Sequence, residues 1–304
     1  MMKSSTMLVL CWGFLMGSYA QPGGPQMISD VWEVARSKNP NPGDGPCPFA
    51  RTVTATDLPS LLEALDCLEK QLGGKPHDQY LCHAKDVCVD LAGAPAPIVV
   101  EGYLHFPDLS GPVQIFSSGE RKTLSGGWPG VVNGQISKEG TAIFHQCVME
   151  LRLENLELSG GYTEGAGAAL FSLGGDTTLD NVVVTNNNAG WRDGGQGGAI
   201  AIQDYHADSV LKISNSWFHD NYADDGLDII LCGGTTTLSA TRFQDISKCD
   251  TWPIPSLLCM HPSSSLDGCK EVGTTGHATQ TCYSCEVPTE EALIGEEGFG
   301  RLEM

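Results

Sequence analysis

The sequence predicts an all-β protein: a right-handed single-stranded parallel β-helix with an N-terminal capping helix and a cysteine-rich C-terminal segment. Two kinds of strand-like segment recur along the chain, and turns rich in Gly, Asn and Asp separate them. No unit contains a helix long enough for a βαβ crossover or a tight two-residue hairpin turn between its strands. Repeats of about this length indicate an array of stacked coils, and right-handed winding is the expected hand for parallel crossovers.

The main repeat consists of an apolar residue, a small polar residue, Asn and three strand residues that end on an apolar one. Its copies start 26, 34 and 25 residues apart, at Leu153, Leu179, Ile213 and Leu238. If each strand pairs with its equivalent one coil away, like positions stack about 4.8 Å apart. We therefore expect those four residues to form one inner stack. A second stack is expected five positions later, from Leu158, Val184, Phe218 and Phe243.

The third position of the repeat predicts an amide ladder. Asn155, Asn181 and Asn215 occupy it in three successive copies, and Asn side chains stacked in register bond to one another along the axis. Ala240 takes the place of the fourth Asn, which suggests that the array closes there. A second strip recurs inside each unit, at 167–171, 198–202 and 226–231. Strand signals begin near residue 97, so we assign residues 97–248 to the β-helix.

The N-terminal part is predicted to be processed and extended. Residues 1–20 resemble a secretory signal peptide, since Lys3 precedes an apolar run and small residues precede Gln21. The mature chain is then secreted and extracellular. No other run of about 18 apolar residues exists, so no membrane span is expected after cleavage. Residues 21–55 are rich in Pro and Gly and predict a linker.

Residues 56–96 predict a disulfide-stabilised cap with one helix. Asp57 is a suitable N-cap and Pro59 suits the first turn. The apolar face would consist of Leu58, Leu61, Leu62, Leu65 and Leu68, and Gly73-Gly74 would end the helix. Cys47, Cys67, Cys82 and Cys88 surround it and could form two disulfides, in any of three pairings. Such a helix would cover the open edge of the strand array.

Residues 249–304 form the cysteine-rich segment. Its disulfide candidates are Cys249, Cys259, Cys269, Cys282 and Cys285. Cys282 and Cys285 have the spacing of a zinc or redox motif, but no second pair or His completes a zinc site, which favours disulfides in a secreted chain. Cys147 and Cys232 fall in predicted strands, as buried thiols or a cross-coil bridge. Cleavage of the signal removes Cys11 and leaves an odd number of cysteines.

The net charge of −20 argues against nucleic acid as a partner, because nucleic-acid binding needs basic patches. It permits calcium, and four carboxylates lie close together at one turn: Asp220, Asp224, Asp225 and Asp228. Calcium takes six to eight oxygen ligands, and such a turn can supply several. The alternative is that Asp fills turns because it tolerates tight backbone conformations. We expect no required cofactor.

Two insertions lengthen the 34-residue coil, at 188–196 and 203–208. Loops on a rigid scaffold often carry function. Trp191 and Tyr205 could stack on sugar rings, and Arg192 and His206 could contact acidic groups. The alternative is a variable surface loop. The histidines, including His105, His145 and His219, lack HxH or HExxH spacing and are expected to be packed or exposed to solvent.

Two motifs resemble those of a known family. Gly197-Gly-Ala-Ile200 and Phe218-His-Asp-Asn221 resemble the GGAI and FxxN repeats of chlamydial polymorphic membrane proteins, and the wider arrangement is similar to the pectin-lyase-like class. The resemblance covers about half of the chain and implies a right-handed β-helix. Enzymes of that class cleave acidic polysaccharides. Here an Asp224-Asp225 pair is present, but the Gly-His-Gly and Arg-Ile-Lys motifs of the hydrolases are missing.

The sequence therefore predicts a secreted, non-catalytic β-helix that acts as a cell-surface, matrix or adhesive protein, with a polysaccharide or an extracellular protein as partner. The alternative is a polysaccharide-active enzyme, a lyase before a hydrolase. A lyase would use the carboxylates of the acidic turn to hold calcium and Arg192 to abstract a proton. Fold alone does not decide between the two.

Overall fold

We describe a computed structural model of the chain. It covers residues 51–70, 78–107, 111–133, 135–147, 149–190, 195–203, 209–223, 228–231, 234–243, 257–259, 265–267, 269–274 and 281–285. All of these belong to the unit Asp44–Met304. The predicted signal peptide, most of the predicted linker, Cys47, Cys232 and Cys249 lie outside the described residues.

The described chain is mostly β-strand, and parallel pairing joins most strands of its sheets. Sheet 1 has eight strands, in the spatial order β1 (Arg51–Thr54), β4 (Val87–Asp90), β7 (Val113–Phe116), β12 (Leu151–Glu154), β16 (Asp176–Asp180), β20 (Val210–Ser214), β23 (Thr235–Ser239) and β26 (Ser265–Asp267). Sheet 3 has six, in the order β24 (Arg242–Phe243), β21 (Trp217–His219), β17 (Val183–Thr185), β13 (Leu156–Ser159), β8 (Lys122–Ser125) and β5 (Ile98–Val99).

Sheet 2 has ten strands and carries antiparallel pairs at both ends. Its order is β2 (Cys67–Lys70), β3 (Asp78–Cys82), β6 (Gly102–Phe106), β11 (Phe144–Gln146), β15 (Leu170–Ser172), β19 (Ile200–Ile202), β22 (Ile229–Leu231), β25 (Leu257–Cys259), β28 (Thr281–Cys285) and β27 (Cys269–Thr274). Two small sheets pair β9 (Val131–Val132) with β10 (Gln135–Ile136) and β14 (Tyr162–Thr163) with β18 (Asn188–Ala189). From β4 to β26, apart from these short strands, the chain visits sheets 1, 3 and 2 in turn.

The two predicted inner stacks are confirmed by the strand register. In sheet 1 the Cα partners run from Leu153 to Leu179, Ile213 and Leu238. In sheet 3 they run from Leu158 to Val184, Phe218 and Phe243. All eight side chains are buried in one continuous core. The stacks extend further towards the N-terminus, to Ile115 and Val89 in sheet 1 and to Leu124 and Ile98 in sheet 3.

The turn between sheets 1 and 3 explains why Asn recurs there. Asn155, Asn181 and Asn215 have φ of 52°, 53° and 51°, and Ala240 takes the same place with φ 48°. Asn tolerates this left-handed region better than most residues. The predicted ladder is right for one pair, because Asn181 Nδ2 donates to Asn155 Oδ1 at 3.1 Å. It is wrong for Asn215, whose Nδ2 donates instead to the Asp180 carboxylate at 2.9 Å, a charged and therefore stronger acceptor.

The second repeat strip is shifted by one residue from the predicted alignment. Leu170 pairs with Ile200, so Gly167 corresponds to Gly197 rather than to Gly198. Both glycines have positive φ, 64° and 59°. A Cβ on either would collide with the carbonyl oxygen three residues further along the chain. The first glycine of the GGAI motif is therefore required both for its backbone conformation and for space.

The capping helix is shorter than predicted. It spans α1 (Leu58–Ala64), and the predicted N-cap is confirmed: Asp57 Oδ1 accepts from Ser60 N at 3.0 Å. The chain leaves the helix at Asp66, which has φ 50°, and enters β2. Leu68 is consequently 64% exposed in a strand instead of lying on an apolar helix face. The Cys67–Cys82 disulfide joins β2 to β3 and fixes this early end.

Parallel pairing extends beyond residues 97–248 at both ends. Strand β1, inside the predicted linker, pairs in parallel with β4, and β4 pairs with β7. Helix α1 packs on β1, β2 and β4. Strands β1 and β2 are edge strands of sheets 1 and 2, so the helix lies where a cap would lie. At the other end, β25 and β26 continue sheets 2 and 1 into the predicted cysteine-rich segment.

Of the cysteines around the cap, Cys67 and Cys82 form a disulfide and Cys88 is also disulfide-bonded. Cys259, Cys269, Cys282 and Cys285 lie in β25, β27 and β28, but their side chains are outside the described part, so their disulfides stay a prediction. Within the described residues, no helix is long and apolar enough to cross a membrane.

We predict that Ala240→Gly and Ala240→Asn stabilise the protein. Ala240 holds a left-handed backbone, which costs an L-residue with a Cβ about 1–2 kcal/mol. Either change should raise the free energy of unfolding by about 1 kcal/mol, measured by urea denaturation. The control is Ser239→Gly in the adjoining strand, which should lower it by about 0.5–1 kcal/mol. A fall in stability for both Ala240 variants would contradict this account of the turn.

A second prediction concerns Glu154, which pairs in register with Asp180 on sheet 1. Burial and the Asp180 charge raise the pKa of Glu154, and a hydrogen bond from Gln114 only partly offsets them. The ionised carboxylate therefore destabilises the folded state above its raised pKa, and the penalty disappears as pH falls and the group is protonated. Glu154→Gln keeps the acceptor for Gln114 and should raise the urea midpoint at pH 7.

The gain from Glu154→Gln should shrink as pH falls and vanish below the ordinary pKa of 4.5. Because the side chain is only partly buried, we expect less than about 1 kcal/mol. Glu101→Gln removes the same charge from an exposed position and is the control for net charge. An equal gain in both variants, or a gain that persists at low pH, would show that the register pair is not the cause.

Candidate functional site

The outer face of sheet 3 carries an exposed tryptophan on a flat run of strands. Trp217 pairs in register with Val183 on one side and Arg242 on the other. Its side chain is 47% exposed, while the next residue, Phe218, points into the core. Alternation along β21 therefore places Trp217 and His219 together on the outside.

His219 lies beside the indole, and Asp220 and Thr185 contact His219. The rings of Trp217 and His219 lie with centroids 4.0 Å apart and planes tilted by 32°. His219 Nδ1 is 2.8 Å from Asp220 Oδ2 and 3.1 Å from Thr185 Oγ1. We call Trp217, His219, Asp220 and Thr185 the Trp217 patch. Both contacts reach the same nitrogen of His219, Nδ1, and they orient the imidazole beside the indole.

Asp220 lies at a turn where a left-handed backbone conformation recurs. It has φ 53°, and Asn186 and Gly160 take the same corner between sheets 3 and 2 with φ 54° and 63°. Its carboxylate is 53% exposed and belongs to the edge of the Trp217 patch. Arg121, which directly precedes β8, and Glu157 on β13 carry opposite charges near this sheet. Burial lowers the pKa of Arg121, and the Glu157 carboxylate partly offsets that effect.

Asp228, the last member of the predicted acidic turn, is structural. It is 2% exposed, and its Oδ1 accepts from Asn221 Nδ2 at 2.7 Å. Asn221 Oδ1 in turn accepts from Asn187 Nδ2 at 3.0 Å. Asn187 and Asn221 are buried too, so the three side chains form a hydrogen-bonded chain through the interior. The Asn of the FxxN motif therefore has a structural role, as a member of this buried hydrogen-bonded chain.

The predicted calcium set is divided between the two sides of the coil. Asp228 is buried and Asp220 is exposed, while Asp224 and Asp225 lie outside the described residues. The calcium site therefore stays a prediction. The predicted binding residues Trp191, Arg192, Tyr205 and His206 also lie outside the described residues.

A second cluster lies on the outer face of sheet 2. His105 and His145 are Cα partners on neighbouring strands, with ring centroids 4.6 Å apart. Cys147 follows two residues after His145, and a ring nitrogen of each histidine and the Cys147 Sγ all lie within 4.8 Å of one another. Burial, and to a lesser degree the charge of His105, lower the pKa of His145 to about 3, so the imidazole is neutral near pH 7.

Sequence reasoning missed this cluster because it sought two histidines on one segment. The available signal was a His-x-Cys pair on one predicted strand, which places both side chains on one face. His105 joins them only through the pairing of β6 with β11, whose separation in sequence differs from that of the later coils. The register of that coil could not be derived from the repeat.

Asn221→Ala tests whether the inner end of the acidic turn is structural. Removing the amide leaves Asp228 and Asn187 with buried groups that lose a partner, which typically costs about 1–3 kcal/mol. We expect a loss of about 2 kcal/mol in urea denaturation. Lys212→Ala, at an exposed position of β20, should change stability by less than about 0.5 kcal/mol. Equal effects of the two substitutions would contradict a stabilising role for the buried hydrogen bonds of Asn221.

No family model, no curated protein and no solved structure matches this chain. The resemblance to GGAI and FxxN repeat proteins therefore remains an expectation from the motifs. Function has to be argued from the geometry of the two outer clusters and from the arrangement of the sheets.

Proposed function

We propose that the chain is a secreted, non-catalytic, right-handed parallel β-helix of the pectin-lyase-like kind that binds polysaccharide at the cell surface or in the extracellular matrix. Two features support the β-helix. The chain visits sheets 1, 3 and 2 in a repeating order, and between β4 and β24 each strand of these three sheets pairs in parallel with its equivalent in the next repeat. Both are what winding a chain into coils requires.

The observation that carries the binding proposal is the exposed indole of Trp217. A large apolar side chain left 47% exposed on a flat sheet is an available contact surface, and Trp combines a broad apolar face with an N–H donor. A sugar ring offers the complementary shape: an apolar face of C–H groups with hydroxyls around its rim. His219 lies beside the indole, and Asp220 and Thr185 contact His219, so this group of residues offers polar partners for those hydroxyls.

Charge indicates which polysaccharides fit best. The chain carries a net charge of −20, and a polyanion would be repelled by that field at low salt. Beside the indole, Asp220 carries one negative charge and Arg242, the register partner of Trp217, carries one positive charge, so the local charges offset each other. Neutral polysaccharides are therefore the favoured ligand class, and uronates would need a bridging cation.

The hydrogen-bond partners of His219 and Asp228 support binding rather than catalysis. His219, the histidine nearest the acidic turn, is engaged by Asp220 and Thr185 beneath the indole. Asp228 is committed to Asn221 in the interior. A lyase would have to rely on Arg192, Asp224 and Asp225, so product formation is measured alongside binding in the test below.

The test is affinity electrophoresis of the mature secreted chain in gels that contain neutral β-glucan, xylan or galactan, followed by calorimetry on the ligand that retards it. Trp217→Ala should weaken binding at least about tenfold, which corresponds to about 1.4 kcal/mol, a typical effect for a central aromatic contact. Trp217→Phe should retain part of the affinity. Val131→Ala, another exposed apolar position, is the matched control and should bind normally.

Two outcomes would overturn the proposal. One is equal retardation of the wild type and Trp217→Ala on every polysaccharide. The other is release of unsaturated product, seen as new ultraviolet absorbance, when the chain is incubated with polygalacturonate or alginate and calcium. The second result would establish the lyase alternative.

A further inference from the structure

The cluster on the outer face of sheet 2 combines three donors that transition metals prefer. His105 on β6 and His145 on β11 are register partners. Cys147 directly follows β11, and its backbone N–H donates a hydrogen bond to Phe106 O at 2.9 Å. Successive odd positions of a strand share one face, so His145 and Cys147 project to the same side. Among the described residues, this is the set of three His, Cys, Asp or Glu side chains whose ligand atoms converge.

The distances suit a small tetrahedral ion after a modest change of rotamers. The three ligand atoms lie within 4.8 Å of one another. Around tetrahedral zinc, with bonds of about 2.0–2.3 Å, neighbouring ligand atoms lie roughly 3.3–3.6 Å apart. Movements of less than about 1 Å per side chain would bring the three atoms to that spacing. His105 and His145 lie on paired strands, and Cys147 directly follows β11.

His145 supplies independent support. Its Nε2 is buried and has no hydrogen-bond partner among the described residues. A buried polar atom of that kind is unusual and asks for an explanation such as an ion.

Aromatic packing accounts for part of the cluster but not for all of it. The His145 ring also lies 5.1 Å from Phe171 and 5.8 Å from Tyr103, so the outer face carries a row of rings. Packing explains why a flat side chain occupies position 145. It does not explain why a thiol lies two residues further on with its sulfur directed at the two imidazoles.

We propose that His105, His145 and Cys147 form a binding site for a zinc-class transition-metal ion. Two imidazoles and a thiolate are ligands that zinc accepts, and three protein ligands leave the fourth position for water or an external group. The choice of nitrogen and sulfur over carboxylate disfavours calcium and magnesium, which prefer oxygen. This site lies on sheet 2, whereas the Trp217 patch lies on sheet 3, and the inference does not depend on polysaccharide binding.

The test uses the mature, disulfide-bonded chain freed of metal by dialysis against a chelator. Zinc is titrated by competition with a chromogenic chelator, and cobalt(II) replaces it for spectroscopy. We expect one zinc per chain, and a cobalt spectrum with a thiolate-to-metal charge-transfer band in the near ultraviolet. His145→Phe, which retains a ring beside Phe171, and Cys147→Ala should each weaken zinc binding more than about 100-fold, beyond the loss typical of an outer-shell partner.

His219→Phe, on the other sheet, is the matched control and should leave zinc affinity unchanged. Cobalt bound to Cys147→Ala should lack the charge-transfer band, which identifies the sulfur as a ligand even if affinity falls for another reason. Far-ultraviolet circular dichroism and the urea midpoint establish that each variant is folded. Zinc affinity equal to wild type in folded His145→Phe and Cys147→Ala would overturn the proposal, as would a wild type that binds no zinc at micromolar concentrations.

Discussion

The in-register stacking of apolar side chains from strand to strand in the parallel sheets is the constraint on which the rest of the structure depends. Leu153, Leu179, Ile213 and Leu238 lie one above another in sheet 1, and a second column from Leu158 to Phe243 lies in sheet 3. Side chains alternate between the two faces of a strand, so a slip of one residue would move a whole column into solvent. Burial of the columns therefore fixes the register of each strand, and fixed register determines which outer residues become neighbours.

The turns between sheets must bend the chain from one sheet into the next without losing that register. The sheet 1 to sheet 3 corner uses one left-handed residue in each of four coils, and the next corner uses Gly160, Asn186 and Asp220 in the same way. Asn and Gly recur there because few other residues tolerate that region of φ. This requirement, more than side-chain hydrogen bonding, accounts for the Asn pattern, since only one predicted rung of the amide ladder forms.

Sequence reasoning succeeded where one rule acts on every coil and failed where a single contact decides. Periodicity was sufficient to predict both inner columns. It could not foresee that Asp180 competes for the Asn215 amide, or that the Cys67–Cys82 disulfide ends α1 before Leu68. The buried hydrogen bonds that join Asn187, Asn221 and Asp228 were not predicted for a related reason. A carboxylate in an acidic turn suggests exposure unless its hydrogen-bond partner is known.

The same register that buries the inner columns also generates the two outer clusters. An outer residue has fixed neighbours two positions along its own strand and one coil away on the next, at spacings set by the strand geometry. Trp217 with His219 and Thr185 is one such triangle, and His145 with Cys147 and His105 is another. Inner positions must repeat to fill the core, whereas outer positions are free to differ from coil to coil. Chemistry specific to this chain therefore belongs on the outer faces, where three unlike side chains can be held together by backbone pairing alone.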